Sequence, residues 1–260
     1  MVEPPSFTPR GPEREVRAVH APTVGGAPVA TIIVLSTVVT TLAFIPFSVV
    51  LASGGSMPLS QGVFPLVGWL LGPSAGAVAS LVGTLTGVFL APHTAGIPAL
   101  SLLGAGLGSL AAGAMGRKGL LRPAVAVVAA LAYAVYVTLA LRNGVHARVV
   151  LAGSIIDWSG ILLFALPTCG LCVRWIGSAS LSRVSAGLFL GTWMISGLTH
   201  ACQCAPAYYL FNWPEPVWVT LTPLILVENL TRSLVGAVIG SGVISGLRTL
   251  GVLRPREAIY

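Results

Sequence analysis

Two opposite charges, Glu228 and Arg232, sit four residues apart in the middle of the last long apolar run of the chain. On a helix, residues at this spacing lie one turn apart on the same face. Ionisable groups are costly to place in lipid, so within a membrane helix they face a bundle interior and mark a functional site. Three further polar groups fall in apolar segments: Asp157, the only aspartate of the chain, with Trp158 beside it, and His200. At about 1.5 Å per residue, Asp157 lies roughly 12 Å and Glu228 roughly 17 Å from the same end of their helices. His200 lies within about two turns of that end. Gln203, Asn212 and Trp213 sit above them, and Asn229 shares a helical turn with Glu228. These residues, Asp157, Trp158, His200, Gln203, Asn212, Trp213, Glu228, Asn229 and Arg232, have the layout of a substrate-binding pocket open to one side. Simpler roles stand beside that reading. Glu228 and Arg232 suit an intrahelical pair that fixes packing, His200 a satisfied helix-end histidine, and Asp157 a structural pair or a proton relay.

The elements that must carry these groups are membrane helices. Charged residues make up 8% of the 260-residue chain, where a soluble domain has about 25%. Mean hydropathy is +0.91, and no Asp, Glu, Lys or Arg occurs between Arg17 and Arg117. Apolar runs of about 20 residues span a bilayer. The expected fold is therefore all-α, a polytopic transmembrane bundle of six to eight helices. Residues 1–27 read as a disordered cytoplasmic tail, 28–248 as the transmembrane domain, and 249–260 as a cytoplasmic C-terminal tail. Within the domain, helices are expected over 28–52 (kinked at Pro46), 62–71, 73–90, 98–116, 123–141, 149–173, 184–204 and 217–247. Eight crossings put both termini on one side. They also put Arg117, Lys118, Arg122, Arg174, Arg183 and the basic residues of both tails there, against Arg142 and Arg148 opposite. By the excess of basic residues in cytoplasmic loops, both termini are then inside the cell membrane.

Several chemistries are excluded or disfavoured. The net charge of +7 is spread over the turns between apolar runs, where it sets topology and does not indicate nucleic acid. There is no Walker-type phosphate loop and no H-E-x-x-H zinc motif, so neither ATP use by that route nor that metal chemistry is expected of this chain. Gly72-Pro73-Ser74-Ala75-Gly76 spells G-x-S-x-G, but a nucleophile elbow needs a strand before the serine, and an apolar helix precedes it. No catalytic residue, metal ligand or cofactor is assigned. Cys169 with Cys172 and Cys202 with Cys204 belong to opposite ends of their helices, so they cannot share one metal ion, and they read as structural thiols. Gly68, Gly72 and Gly76 recur every four residues, as do Gly83 and Gly87. Small residues on one face allow close helix packing, either inside the chain or against another membrane subunit.

The segment Phe64-Pro65-Leu66-Val67-Gly68-Trp69-Leu70-Leu71-Gly72-Pro73-Ser74-Ala75-Gly76-Ala77-Val78 resembles the second and third helices of energy-coupling factor transporter S components. Leu224-Ile225-Leu226-Val227-Glu228-Asn229-Leu230-Thr231-Arg232 is similar to their last helix, and Gly197-Leu198-Thr199-His200-Ala201 to the helix before it, especially in archaeal-type members. The resemblance covers about half the chain, and the family usually has six helices and fewer residues. It implies a subunit that captures a vitamin or another small micronutrient from outside. It also implies partners: a membrane coupling protein and two cytoplasmic ATPases, which use the ATP. Gly68, Gly72, Gly76, Gly83 and Gly87 would then form the partner interface. Competing expectations are a stand-alone secondary transporter or channel, and a structural or lipid-modifying subunit of a membrane complex.

Overall fold

The computed structural model describes residues 22–50 and 55–260. Two glycines with positive φ, Gly25 and Gly26, turn the chain between the short strands β1 (Thr23–Val24) and β2 (Ala27–Pro28). Successive positive φ values suit the tight turn of a hairpin. Residues 22–27 are therefore ordered, and the rest of the expected tail lies outside the described residues. Helix α1 (Val29–Ala43) stops before Pro46, which opens strand β3 (Pro46–Val50). This strand pairs antiparallel with β4 (Gly55–Pro58). The expected kinked helix over 28–52 is thus a helix followed by a hairpin, because residues ahead of a proline avoid the helical region.

Ten α-helices occur among the described residues. Helices α2 (Phe64–Leu71) and α3 (Pro73–Leu90) meet at Gly72, whose φ of 86° needs a glycine, and Pro73 opens α3 where its missing N–H costs nothing. Helices α4 (Pro98–Ala114) and α5 (Leu121–Arg142) follow. The next expected helix is broken into α6 (Ala147–Gly153), α7 (Ile155–Ala165) and α8 (Thr168–Ile176). Helices α6 and α7 meet at a bend of 62°. Helix α9 (Leu181–Phe211) continues through Pro206 and runs seven residues past the end expected at 204. Asn212 closes it in the left-handed conformation, φ 46°. Helix α10 (Glu215–Thr249) follows.

Helices α2 and α9 form the centre. Every residue of α2 is buried, and Trp69 at its middle is fully enclosed, with its ring over Gly191 of α9. The glycine spacings are used inside this packing. A Cβ at Gly76 would meet Gly68 at 2.8 Å, one at Gly83 would meet the Ser36 carbonyl at 2.5 Å, and one at Gly87 would meet Ala43 at 2.8 Å. Gly68 lies against the Ser109 backbone and Gly72 against Glu257. All five glycines are buried, so the partner surface expected of them is filled by the chain's own helices. The outward rows are apolar instead: Leu81, Val82, Leu85 and Phe89 on α3, Val127, Val128, Leu131 and Val135 on α5, and Val227, Leu234 and Val238 on α10 are all exposed.

Among the described residues three helices, α3, α5 and α10, are long and apolar enough to cross a membrane, or up to four if bent α6–α7 is one span. This accords with a membrane location, and with fewer full-length spans than the eight expected from apolar runs. Helix α2 has only eight residues, and the run over 149–173 is broken twice. The C-terminal tail is also more than a tail. The Ile259 N–H donates to the Trp69 carbonyl at 2.9 Å, Tyr260 is buried, Arg254 stacks 4.9 Å over its ring, and Arg117 pairs with Glu257 at 3.4 Å.

Candidate functional site

A cavity of about 160 Å³ lies between α9, α10, the connection from α1 to α2 and the connection from α3 to α4. Its walls follow from helical periodicity. On α10 the lining residues are Val217, Trp218, Leu221, Leu224, Ile225, Glu228 and Arg232; on α9 they are His200, Gln203, Cys204, Ala207 and Phe211. Apart from the adjacent pairs 217/218, 224/225 and 203/204, both series step by three or four residues, so each is one face of a helix. The remaining wall comes from β4 and the short turn after it, from Thr94 to Ser101, and from Tyr136 of α5. Most of this lining is apolar with a few converging polar groups, the usual make-up of a small-molecule site.

The polar groups are held firmly. The His200 Nδ1 lies 2.6 Å from the Asp157 Oδ1. Asp157 is completely buried behind the histidine, with Oδ2 lacking a partner among the described residues. A carboxylate can only accept, so pairing with an ionised Asp157 places a proton on Nδ1. The Cys204 Sγ is 3.4 Å from Nε2. Gln203 donates through Nε2 to the Leu100 carbonyl at 2.7 Å. Arg232 is 5% exposed, and it donates through Nε, at 3.1 Å, and through Nη2 to the thioether of Met57 on β4. Glu228 is 7% exposed and lines the cavity one turn from Arg232.

Aromatic rings close the other end. Tyr136 stacks on Trp218 with centroids 5.1 Å apart, and Phe211 stacks on Trp213 at 5.8 Å. Tyr208 meets Tyr136, Trp213 and Trp218 at 5.7 to 5.9 Å, and its hydroxyl donates to the Trp213 carbonyl at 2.9 Å. Outside this cluster His146 Nδ1 and Glu215 Oε2 sit 2.6 Å apart.

Of the residues singled out in the sequence, His200, Gln203, Trp213, Glu228 and Arg232 line the cavity, and Asp157 backs it through His200. Trp158, Asn212 and Asn229 do not line it. The Trp158 indole donates to the Leu151 carbonyl at 3.2 Å, where the break between α6 and α7 turns it aside. Asn212 caps α9 and accepts from Asn143 at 3.2 Å. Asn229 is wholly buried, and its amide has no hydrogen-bond partner among the described residues. Met57, Tyr136, Cys204 and Trp218 were not singled out. Trp218 shares the α10 face with Leu221, Ile225, Glu228 and Arg232, so periodicity alone could have found it. The four cysteines are free and buried, and Cys204 belongs to the cavity wall. No group of metal-ligating side chains occurs among the described residues. The chain matches no family model, no curated protein and no solved structure.

Proposed function

We propose that this chain captures a small solute in the cavity between α9 and α10, as the substrate-specific membrane subunit of an ATP-driven importer of the energy-coupling factor type. The observation that carries the reading is convergence. His200 of α9, backed by Asp157 of α7, and Glu228 and Arg232 of α10 converge on one cavity. Cavities of about 150 Å³ hold a benzene-sized molecule, so the solute includes at least one small ring or an equivalent compact body. The walls supply an apolar surface, one acid, one guanidinium and an imidazole. Supply of energy by a coupling protein and two ATPases rests on the resemblance of the segments around Gly72-Pro73 and Glu228. With both termini cytoplasmic, the aromatic end of the cavity faces outward. The coupling protein then meets an outward apolar row such as Leu81, Val82 and Leu85, since the glycines are spent internally.

Purified protein in lipid nanodiscs should bind solute saturably without nucleotide, and solute-loaded liposomes should show ATP-dependent movement only when the coupling protein and ATPases are added. The buried Asp157–His200 pair beside the cavity favours one second reading, a stand-alone proton-coupled transporter. Uptake driven by a proton gradient with this chain alone would establish that reading and displace the first.

A further inference from the structure

We infer that the solute is a zwitterion of the α-amino acid type, with its carboxylate on Arg232, its ammonium on Glu228 and its apolar body toward Ile225 and Leu221. This inference rests on the capture reading and sharpens it. The guanidinium of Arg232 is almost wholly withdrawn from solvent, yet the acceptor that meets its Nε and Nη2 is the Met57 thioether. A thioether is a weak acceptor. A carboxylate oxygen at the same fork makes a shorter and roughly twofold stronger charge-assisted bond, and it can do so bidentately. The contact with Met57 therefore occupies the place of a better ligand, and β4 is the element that yields when the ligand arrives.

A lone anion does not suit this place. Glu228 lies one turn from Arg232 on the same cavity-lining face of α10, so an added carboxylate enters a field that already holds an acid. A cationic group on the same molecule removes the imbalance, and Glu228 is the lining acid within reach. Its carboxylate offers about four lone-pair positions, so it can take an ammonium in addition to its existing contact. The opposite charges of an α-amino acid are a few ångströms apart, which matches side chains one helical turn apart. Toward the N-terminal end of α10 the next lining residues are Ile225, Leu224 and Leu221. The charged head is thus held deep and the apolar side chain points to the aromatic end.

Three probes with one ring and different charges test this: L-phenylalanine, 3-phenylpropionate and 2-phenylethylamine, titrated calorimetrically into the protein in nanodiscs. The zwitterion should bind at least tenfold more tightly than either singly charged probe. Arg232→Gln should reduce phenylalanine to the affinity of the amine, and Glu228→Gln to that of the propionate. Either singly charged probe binding as tightly as phenylalanine, or no binding of any of the three, overturns the assignment. The wild-type series decides the matter even if a variant fails to fold. A retained solute of another charge type, identified by mass spectrometry, would sink the zwitterion while leaving the capture reading intact.

Discussion

Gly197→Ala should disable the site without touching it. Gly197 lies in α9, and a Cβ there would sit 3.0 Å from the Ile156 carbonyl carbon and closer still to its oxygen. Ordinary contact begins near 3.4 Å, and the obstacle is backbone, which cannot rotate away. Helices α7 and α9 must part, by about 1 Å for an overpacked interface of this kind. Asp157 is the next residue after Ile156, so the same movement stretches its 2.6 Å bond to His200 to about 3.6 Å, where it is no longer a hydrogen bond. Overpacking costs about 1–3 kcal/mol, and a lost hydrogen bond to a charged group about 1.5–3 kcal/mol. The expected total is about 4 kcal/mol in stability. Solute affinity should also fall, because the imidazole loses the partner that fixes its tautomer. Thermal unfolding in nanodiscs reads the first effect, and ¹⁵N NMR of the histidine ring reads the second. In an Asp157→Asn background the cost of Gly197→Ala should shrink by about 1 kcal/mol, since the two residues share one contact. An unchanged melting temperature and histidine spectrum, or strict additivity with Asp157→Asn, would refute the reasoning.

Other perturbations separate the parts of the fold. Gly83→Ala meets the Ser36 carbonyl and should cost about 1–3 kcal/mol by overpacking; Gly242→Ala has open space around it and should stabilise α10 by up to about 1 kcal/mol through helix propensity, both read by thermal unfolding. Tyr260→Ala removes a buried ring that closes α2 from below, and should cost about 3 kcal/mol, in line with other aromatic-to-alanine truncations. Val238→Lys places a charge on the exposed row of α10. Membrane insertion should fall by an amount equivalent to about 2.5–3.5 kcal/mol, whereas the same change on a water-facing surface stays within about 0.5 kcal/mol, so a glycosylation-mapping assay of insertion distinguishes the two surroundings.

Much of the fold can be read from local chemistry. The break at Gly72-Pro73 follows from two residues with opposite backbone demands, and the observed φ of 86° at Gly72 meets them. Helices α5 and α10 follow from apolar length. The hairpin of β3 and β4 stays hidden because residues 28–52 carry no charge and are mostly apolar, and hydropathy does not register a change of backbone. Pro46 carries the clue, as the stop of α1 and not a kink within a longer helix. Gly153 precedes Ser154, where α6 bends into α7, but in a chain with 31 glycines one glycine does not by itself announce a bend. Pro206 gives the opposite surprise, since α9 continues through it to Phe211. The site was legible as a shared depth for Asp157, His200 and Glu228. The pairing of Asp157 with His200 depends on the packing of α7 on α9, and the grip of Arg232 on Met57 joins residues 175 positions apart. Neither contact has a periodicity that could announce it. Trp158 was misplaced for the same reason, because the bend after Gly153 rotates it out of line.

The central claim, that the space between α9 and α10 holds a solute, has one direct test. Ala207 is buried in the cavity wall on α9, and Ala207→Phe fills the space without altering any charged group. Small molecules released from wild-type and Ala207→Phe protein, purified side by side, should be quantified by mass spectrometry together with the melting temperature of each. One compound near a 1:1 ratio in the wild type, and nearly absent from a variant that remains folded, is the expected result. Equal amounts in both proteins would contradict the claim.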